Sequence, residues 1–293
     1  MADSERNRKG HSGKTRGAGG RAMRYVNNKH LQRFADLTEI DAAKAEIAGK
    51  ATADERSDYI DHRDNKAKWS ALREALWTLG CAKCWYSEAT LQQGEGHVEH
   101  FRPKKRLSGA KHSGYWWRAF DWTNYRISHP TSNKRVTDYL TGKKAGKGGY
   151  FPLEDEATRA KSAAEEANEN PVLLDPTNPR DCKLICFDTE NGKPVPRFSK
   201  DEDKWRNQRA EDSIEYYHLN EGTWNFKRKD LMDDVGKLCD RIVDNAQGDR
   251  DAYEEMMDEL LGYIESFAEF SSAALQVVRE KGLLEHIAPV PEN

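Results

Sequence analysis

His97-Val98-Glu99-His100-Phe101-Arg102-Pro103 is the phrase that decides how this chain is read. A C-x-x-C pair, Cys81 and Cys84, stands before it. After it come an aromatic run from Tyr115 to Trp122, then Asn124, then Ser128-His129-Pro130-Thr131-Ser132-Asn133 with Lys134 and Arg135. A carboxylate next to an imidazole, two amides further on and a closing basic pair suit a single-metal phosphodiesterase site. Phosphodiester hydrolysis needs a base for water, a hard cation for the charge on the phosphorane and leaving oxygen, and a group that orients the base. His100 titrates near neutral pH and is the candidate base. Glu99 and Asn133 offer the oxygen ligands that Mg2+ or Mn2+ prefers. Neighbours on a strand point to opposite faces, so Glu99 and His100 share a site only at a turn or an irregular strand end, which Pro103 makes available.

These residues resemble the HNH endonucleases, whose site is a β-hairpin followed by a helix around one metal ion. The resemblance implies that Glu99 is the acidic metal ligand, His100 the general base, Asn124 the amide that pins the loop carrying the base, and Asn133 the last metal ligand. The phrases Val98-Glu99-His100-Phe101-Arg102-Pro103-Lys104, Gly114 to Tyr125, Tyr150 to Leu153 and Leu173 to Thr177 are similar to one branch, the HNH proteins of bacterial Septu-type and related retron anti-phage systems, encoded beside an ATPase. The similarity runs from about residue 65 to about 230. Many relatives in that branch carry a second C-x-x-C before the last Asn, which completes a structural zinc site; here His129 and Ser132 stand in those places. Cys81, Cys84 and His129 therefore either hold a zinc with a further ligand, such as His97 or His112, or are side chains of a plain turn.

The chain of 293 residues is long enough for one large or two small domains, and eight Trp, eleven Tyr and nine Phe supply a core despite a charged fraction of 33%. A net charge of −3 does not mark a nucleic-acid binder as a whole. Basic surface is local, in segments 101–118 and 133–147, and Arg102, Lys104, Lys134 and Arg135 are the candidate phosphate contacts. Five cysteines with one close pair do not make a disulfide framework. No apolar stretch is long enough to span a bilayer, and a cytoplasmic protein is expected.

In chain order the expectation is an α+β, mostly helical fold: a disordered basic tail over 1–23, a helical segment over 24–80, an HNH core with insertions over 81–200, and a helical region over 201–293. Trp69, Leu72, Leu76 and Leu79 form one apolar helical face, which Gly80 ends. The two strands of the hairpin are expected between Cys84 and Arg106 with Gly94 and Gly96 in the connecting loop, and Asn133 is expected to open the site's helix or its first turn. The aromatic run is read as core beneath the site. Lys134, Arg135, Lys143, Lys144 and Lys147 lie in a Gly-bearing loop. Residues 154–170 read as an exposed helix or a mobile insertion. A small strand pair is expected to involve Pro194-Val195-Pro196. Asp175 is either a carboxylate supporting the site or a turn cap, and Cys182 and Cys186 are structural. Beyond Trp205 three helical stripes follow: Ala210, Ile214 and Tyr217; Leu231, Val235, Leu238 and Ile242; and Tyr253 through Val278.

The leading functional expectation is a Mg2+- or Mn2+-dependent HNH endonuclease acting on DNA or structured RNA. Its alternative is a catalytically silent binding or scaffold subunit. A C-x-x-C redox protein is disfavoured because no βαβ pattern follows Cys84. The chain has no Walker-type phosphate loop, since the glycines from Gly142 to Gly149 lack its spacing. The resemblance implies control by an ATPase subunit encoded nearby; the apolar stripes after about residue 205 either pack on one another as a helical subdomain or leave an outer surface on which that subunit docks.

Overall fold

The computed structural model describes residues 23–137, 140, 142 and 144–287; most of the expected basic tail and Lys143 lie outside them. The fold is α+β; among the described residues three small two-stranded antiparallel sheets stand among many helices. Among the described residues no helix is long and apolar enough to cross a membrane.

Four helices lead into the centre: α1 (Thr38–Ala48), α2 (Ala53–Asp61), α3 (Arg63–Ala71) and α4 (Arg73–Leu79). Thr52 starts α2 with a capping box, its side chain accepting from Glu55 N while the Glu55 carboxylate accepts from Thr52 N. The expected apolar face is present, with Trp69, Leu72, Leu76 and Leu79 all buried, but it runs over two helices that meet at Leu72. Gly80 does cap α4, without a left-handed conformation; the next two residues, Cys81 and Ala82, take it instead (φ 54° and 59°).

The central ribbon pairs β1 (His97–His100) with β2 (Tyr125–Ser128), so that Glu99 faces Arg126 and His100 faces Tyr125 across the strands. The expected hairpin between Cys84 and Arg106 is corrected by this register: the strands are joined across residues 101–124. Gly94, at φ 83°, sits in a turn before β1. Gly96 is needed for close approach, because a Cβ there would lie 2.7 Å from the Ile127 side chain. The loop between the strands carries the core aromatics. Tyr115 and Phe120 are fully buried, and Phe120 packs on Trp69 (centroids 5.3 Å apart) and Tyr59 (5.4 Å).

After β2 comes a single helical turn, α5 (Pro130–Asn133), started by Pro130 and by the His129 ring, which accepts from Thr131 N. Asn133 ends this helix rather than opening it. Strands β3 (Val136–Thr137) and β4 (Lys144–Ala145) form a small ribbon, and β5 (Ile185–Phe187) pairs with β6 (Pro194–Pro196), the second pair expected from the sequence. Residues 154–170 are neither a helix of the expected kind nor a detached insertion. They form two 3-10 turns that carry Glu166 and Glu169 into the interior.

The C-terminal region comprises α6 (Lys204–Tyr216), α7 (Gly222–Asp244), α8 (Arg250–Ile264) and α9 (Ser271–Glu280). Val235, Leu238 and Ile242 of α7 and Ala274 and Val278 of α9 are buried, so these stripes pack against one another. The third stripe breaks at residues 265–270, where Phe267 turns outward. This region is tied to the centre through α9. Glu88 accepts from Ser272 N (3.1 Å), and Lys83 Nζ donates to Ser271 Oγ (2.9 Å) and Ala268 O (2.8 Å). A carboxylate at a helix N-terminus satisfies otherwise unpaired N–H groups and meets the positive end of the helix dipole.

Candidate functional site

A cavity of about 200 Å³ opens at the end of β1, lined by Glu99, His100, Lys104 and Asn133 among others. Three of the four residues taken from the sequence motif therefore border one space. Glu99 and His100 obey strand alternation: the carboxylate goes to Tyr86 and Lys147, the ring to Trp69 and Ala119. They reach a common cavity because the strand stops at His100.

His100 is held on every side. Its Nε2 lies 2.9 Å from Ala119 O, a group that can only accept, so the proton is assigned to Nε2 and the lone pair to Nδ1. Nδ1 faces Lys104 Nζ at 3.3 Å. The rings of Trp69 and Tyr125 meet the imidazole edge-on, with centroids 5.4 and 4.9 Å away. Burial, and then the Lys104 ammonium, drive the imidazole pKa well below its ordinary value. The ring is neutral at physiological pH, with its basic nitrogen toward the Lys104 ammonium. Burial in turn brings the Lys104 pKa down to about 8.

Glu99 is buried and accepts from Tyr86 Oη at 2.7 Å. Its other oxygen is ion-paired with Lys147 Nζ, which also donates to His100 O at 2.9 Å. Tyr86 is stacked on Tyr217, which follows α6, with centroids 4.0 Å apart. The C-terminal region thus reaches the site through one ring. Arg126, opposite Glu99, makes a two-pronged pair with Asp175 (2.9 and 2.7 Å), whose Oδ1 also accepts from Thr177 N. Asp175 is both turn cap and partner of the ribbon. Burial pushes its pKa up, but Arg126 prevails and holds it below the carboxylate range.

Asn124 grips the loop after His100. Its Oδ1 accepts from Arg102 N (2.8 Å), and its Nδ2 donates to Arg102 O (2.9 Å) and Arg118 O (3.2 Å). Asn133 presents a side-chain amide with no hydrogen-bond partner among the described residues. Glu99 and Asn133 both line this cavity; a hard divalent ion takes oxygens of their kind, and were one bound here these two residues would hold it.

The expected phosphate contacts need correction. Arg102 is turned inward, ion-paired with Glu166 (3.3 Å) and Glu169. Arg135 donates to Gly146 O and Lys144 O and lies over Tyr150. Lys147, read as a loop cation, is buried on Glu99. Lys134 is exposed, and Lys104 lines the cavity. The zinc set is not assembled either. Among the described residues no three His, Cys, Asp or Glu side chains come together to hold a metal. Cys84 Sγ instead lies 4.0 Å from Ser132 Oγ, and the His129 ring packs edge-on against Trp224.

Tyr86, Lys147, Glu166 and Glu169 escaped the sequence reading. A Tyr two residues beyond Cys84 carries no signal of its own, and Lys147 was hidden among glycines and other lysines.

No family model matches the chain, and no solved structure matches it. The chain is similar to the Septu protein PtuB of Bacillus mycoides (strain KBAB4), 31% identical over 144 residues, which are 47% of this chain and 43% of that protein. The chain thus matches less than half the length of that relative, and the likeness supports a Septu-related family.

Proposed function

We propose that this chain is a metal-dependent endonuclease of the HNH type, with β1, β2 and α5 as its ββα core, and that it is the nuclease of a Septu-type anti-phage system controlled by an ATPase subunit. The observation that carries the reading is the state of His100: neutral, its Nε2–H assigned to a backbone carbonyl and its Nδ1 unprotonated, in a residue that lines one cavity with Glu99 and Asn133. In the reaction Nδ1 takes a proton from water, the oxygen of that water attacks phosphorus, and the bond to the leaving oxygen breaks. Asn124 keeps the base in position through the backbone of Arg102. Lys104 is drawn from Nδ1 toward the incoming phosphate, which frees the lone pair. A Mg2+ or Mn2+ ion, when bound, supplies positive charge for the phosphorane and the leaving oxygen. Similarity to a Septu protein supports the defence role.

A second reading, a silent nucleic-acid-binding or scaffold subunit, is favoured by one observation: Glu99 already has Lys147 as its cation. One experiment separates the two. Purified protein is incubated with plasmid or single-stranded circular DNA and Mg2+ or Mn2+, with an EDTA control and a His100→Ala control. Cleavage that needs both the metal and His100 supports the nuclease. Absence of cleavage under every condition, in the presence of the ATPase as well, supports the scaffold.

A further inference from the structure

A second and larger groove, about 680 Å³, runs from the site toward α2 and shares Lys104, Lys105 and Arg106 with the catalytic cavity. Five cations line it (Arg56, Lys104, Lys105, Arg106 and Lys111) against one carboxylate, Asp54, in a chain whose net charge is −3. Such local reversal of sign is the electrostatic footprint of a polyanion site. Arg106 and Lys111 are exposed and have no hydrogen-bonded or ionic side-chain partner among the described residues. Lys105 is paired with Asp61. At the far end the Arg56 guanidinium lies 4.1 Å over the Trp116 ring, anchored by Lys50 O (3.0 Å) and Ala51 O (3.2 Å). A planar cation on a half-buried indole is a ready surface for phosphate and base.

The wall of the groove is preformed. Leu107 N donates to His112 O (3.0 Å) and Tyr115 N to Pro103 O (2.8 Å). Gly114, at φ 100°, passes so close to the Lys105 backbone that a Cβ would lie 2.2 Å from Lys105 O. The basic side chains are therefore held on a fixed loop.

We infer that this groove is the track for a single strand of nucleic acid leading to the scissile phosphate, an inference that rests on the nuclease reading. Its volume lies in the range of about 300–1,000 Å³ that accepts a small ligand, enough for a short stretch of one strand. His100 and Glu99 are only 5% and 3% exposed. A flexible strand can dip its backbone to such depth, whereas the phosphates of a rigid duplex stay at the rim. Cleavage of duplex DNA then requires local opening.

The test is fluorescence anisotropy in EDTA, with a labelled 15-nucleotide single strand and a duplex of the same length, titrated at several salt concentrations. Arg106→Ala/Lys111→Ala is compared with a charge-matched control, Lys183→Ala/Lys193→Ala, which removes two exposed lysines elsewhere. The groove variant is expected to bind the single strand at least about tenfold more weakly, with a salt slope shallower by about 1.4, the value for two phosphates no longer neutralised. The control is expected to bind like the wild type, and the wild type to prefer the single strand. Equal loss in both variants, or duplex binding as tight as single-strand binding, overturns the track. Wild-type protein that binds neither probe, alone or with the ATPase subunit, overturns the nuclease reading as well. Single-strand binding in the groove variant equal to that of the wild type overturns the track alone.

Discussion

The Lys147 ammonium sits against the Glu99 carboxylate, both side chains nearly sealed from solvent at 1% and 3% exposure. An internal cation thus occupies a carboxylate proposed as a metal ligand, and a metal bound there would have to compete with it. Removing one partner of a buried pair leaves an unpaired charge at a cost of about 3–5 kcal/mol. Lys147→Met is expected to lower the melting temperature of metal-free protein, and Mn2+ is expected to restore more of it than it adds to the wild type. Equal shifts in the two proteins would show that the cation binds elsewhere.

The buried His100 ring makes pH a direct probe of the base. Its pKa is depressed by burial and by Lys104, so it is already unprotonated above about 6.5, and the acid limb of the rate profile should fall below that pH. Lys104 loses its charge near 8, so the rate should decline above that pH, and Lys104→Met should remove the alkaline limb. His100→Ala should cut the rate by about 10²–10⁴. Stability should follow the same group. Below about 6.5 the unfolded chain takes up a proton that the folded ring refuses, so stability is lost as pH falls toward the depressed folded pKa. Urea melts at pH 7 and 5.5 should show a larger loss for wild type than for His100→Ala; parallel losses would place the titrating group elsewhere.

How far the sequence could be read follows from where each interaction comes from. Glu99, His100 and Asn133 stand out in the sequence by residue type and order, and the fold brings these three to one cavity while Asn124 grips the backbone of Arg102 beside it. The partner of β1 was not legible. Two glycines before the strand suggested a tight hairpin, but Gly96 serves the close approach of Ile127, and Trp85 N donates to Ile127 O on the far side of β2. Glu166 and Glu169 lie in a polar stretch that looks like exposed surface. Only the folded chain shows Arg102, Arg118, Tyr115 and Trp117 converging on them. Charge alone does not say whether a residue faces water or a partner far along the chain.

Arg102 illustrates the difference and gives a third prediction. Read from sequence it is a phosphate contact; in the fold it neutralises Glu169, whose side chain is 0% exposed. Arg102→Ala should therefore destabilise the protein by about 3–5 kcal/mol, as expected when a buried pair is broken. Binding of the single strand by the fraction that remains folded should be close to normal. A variant of full stability with weakened binding would return Arg102 to the nucleic-acid surface.

The last prediction concerns the turn at Cys84. In a tetrahedral site with zinc–sulfur bonds of about 2.3 Å, neighbouring sulfurs stand about 3.8 Å apart. Cys84 Sγ and Ser132 Oγ are 4.0 Å apart, so the backbone spacing fits one edge of such a site, but a neutral hydroxyl is a poor zinc ligand. His129 supplies no substitute, because its Nδ1 accepts from Thr131 N and its ring packs on Trp224. Hydrogen bonds and packing hold this turn where a metal would otherwise do so: Cys84 N donates to Ala89 O (2.9 Å) and Leu91 N to Ala82 O (2.8 Å). Protein purified without chelator is expected to carry far less than one zinc per chain and to melt at the same temperature with or without a strong chelator. His129→Cys/Ser132→Cys, which adds two thiols to Cys81 and Cys84, is expected to bind about one zinc per chain and to melt higher when loaded. Stoichiometric zinc in the wild type, lost together with stability on chelation, would show that the turn is a metal site after all; a double variant that takes up none would show that Cys81 and Cys84 are not aimed at a common centre.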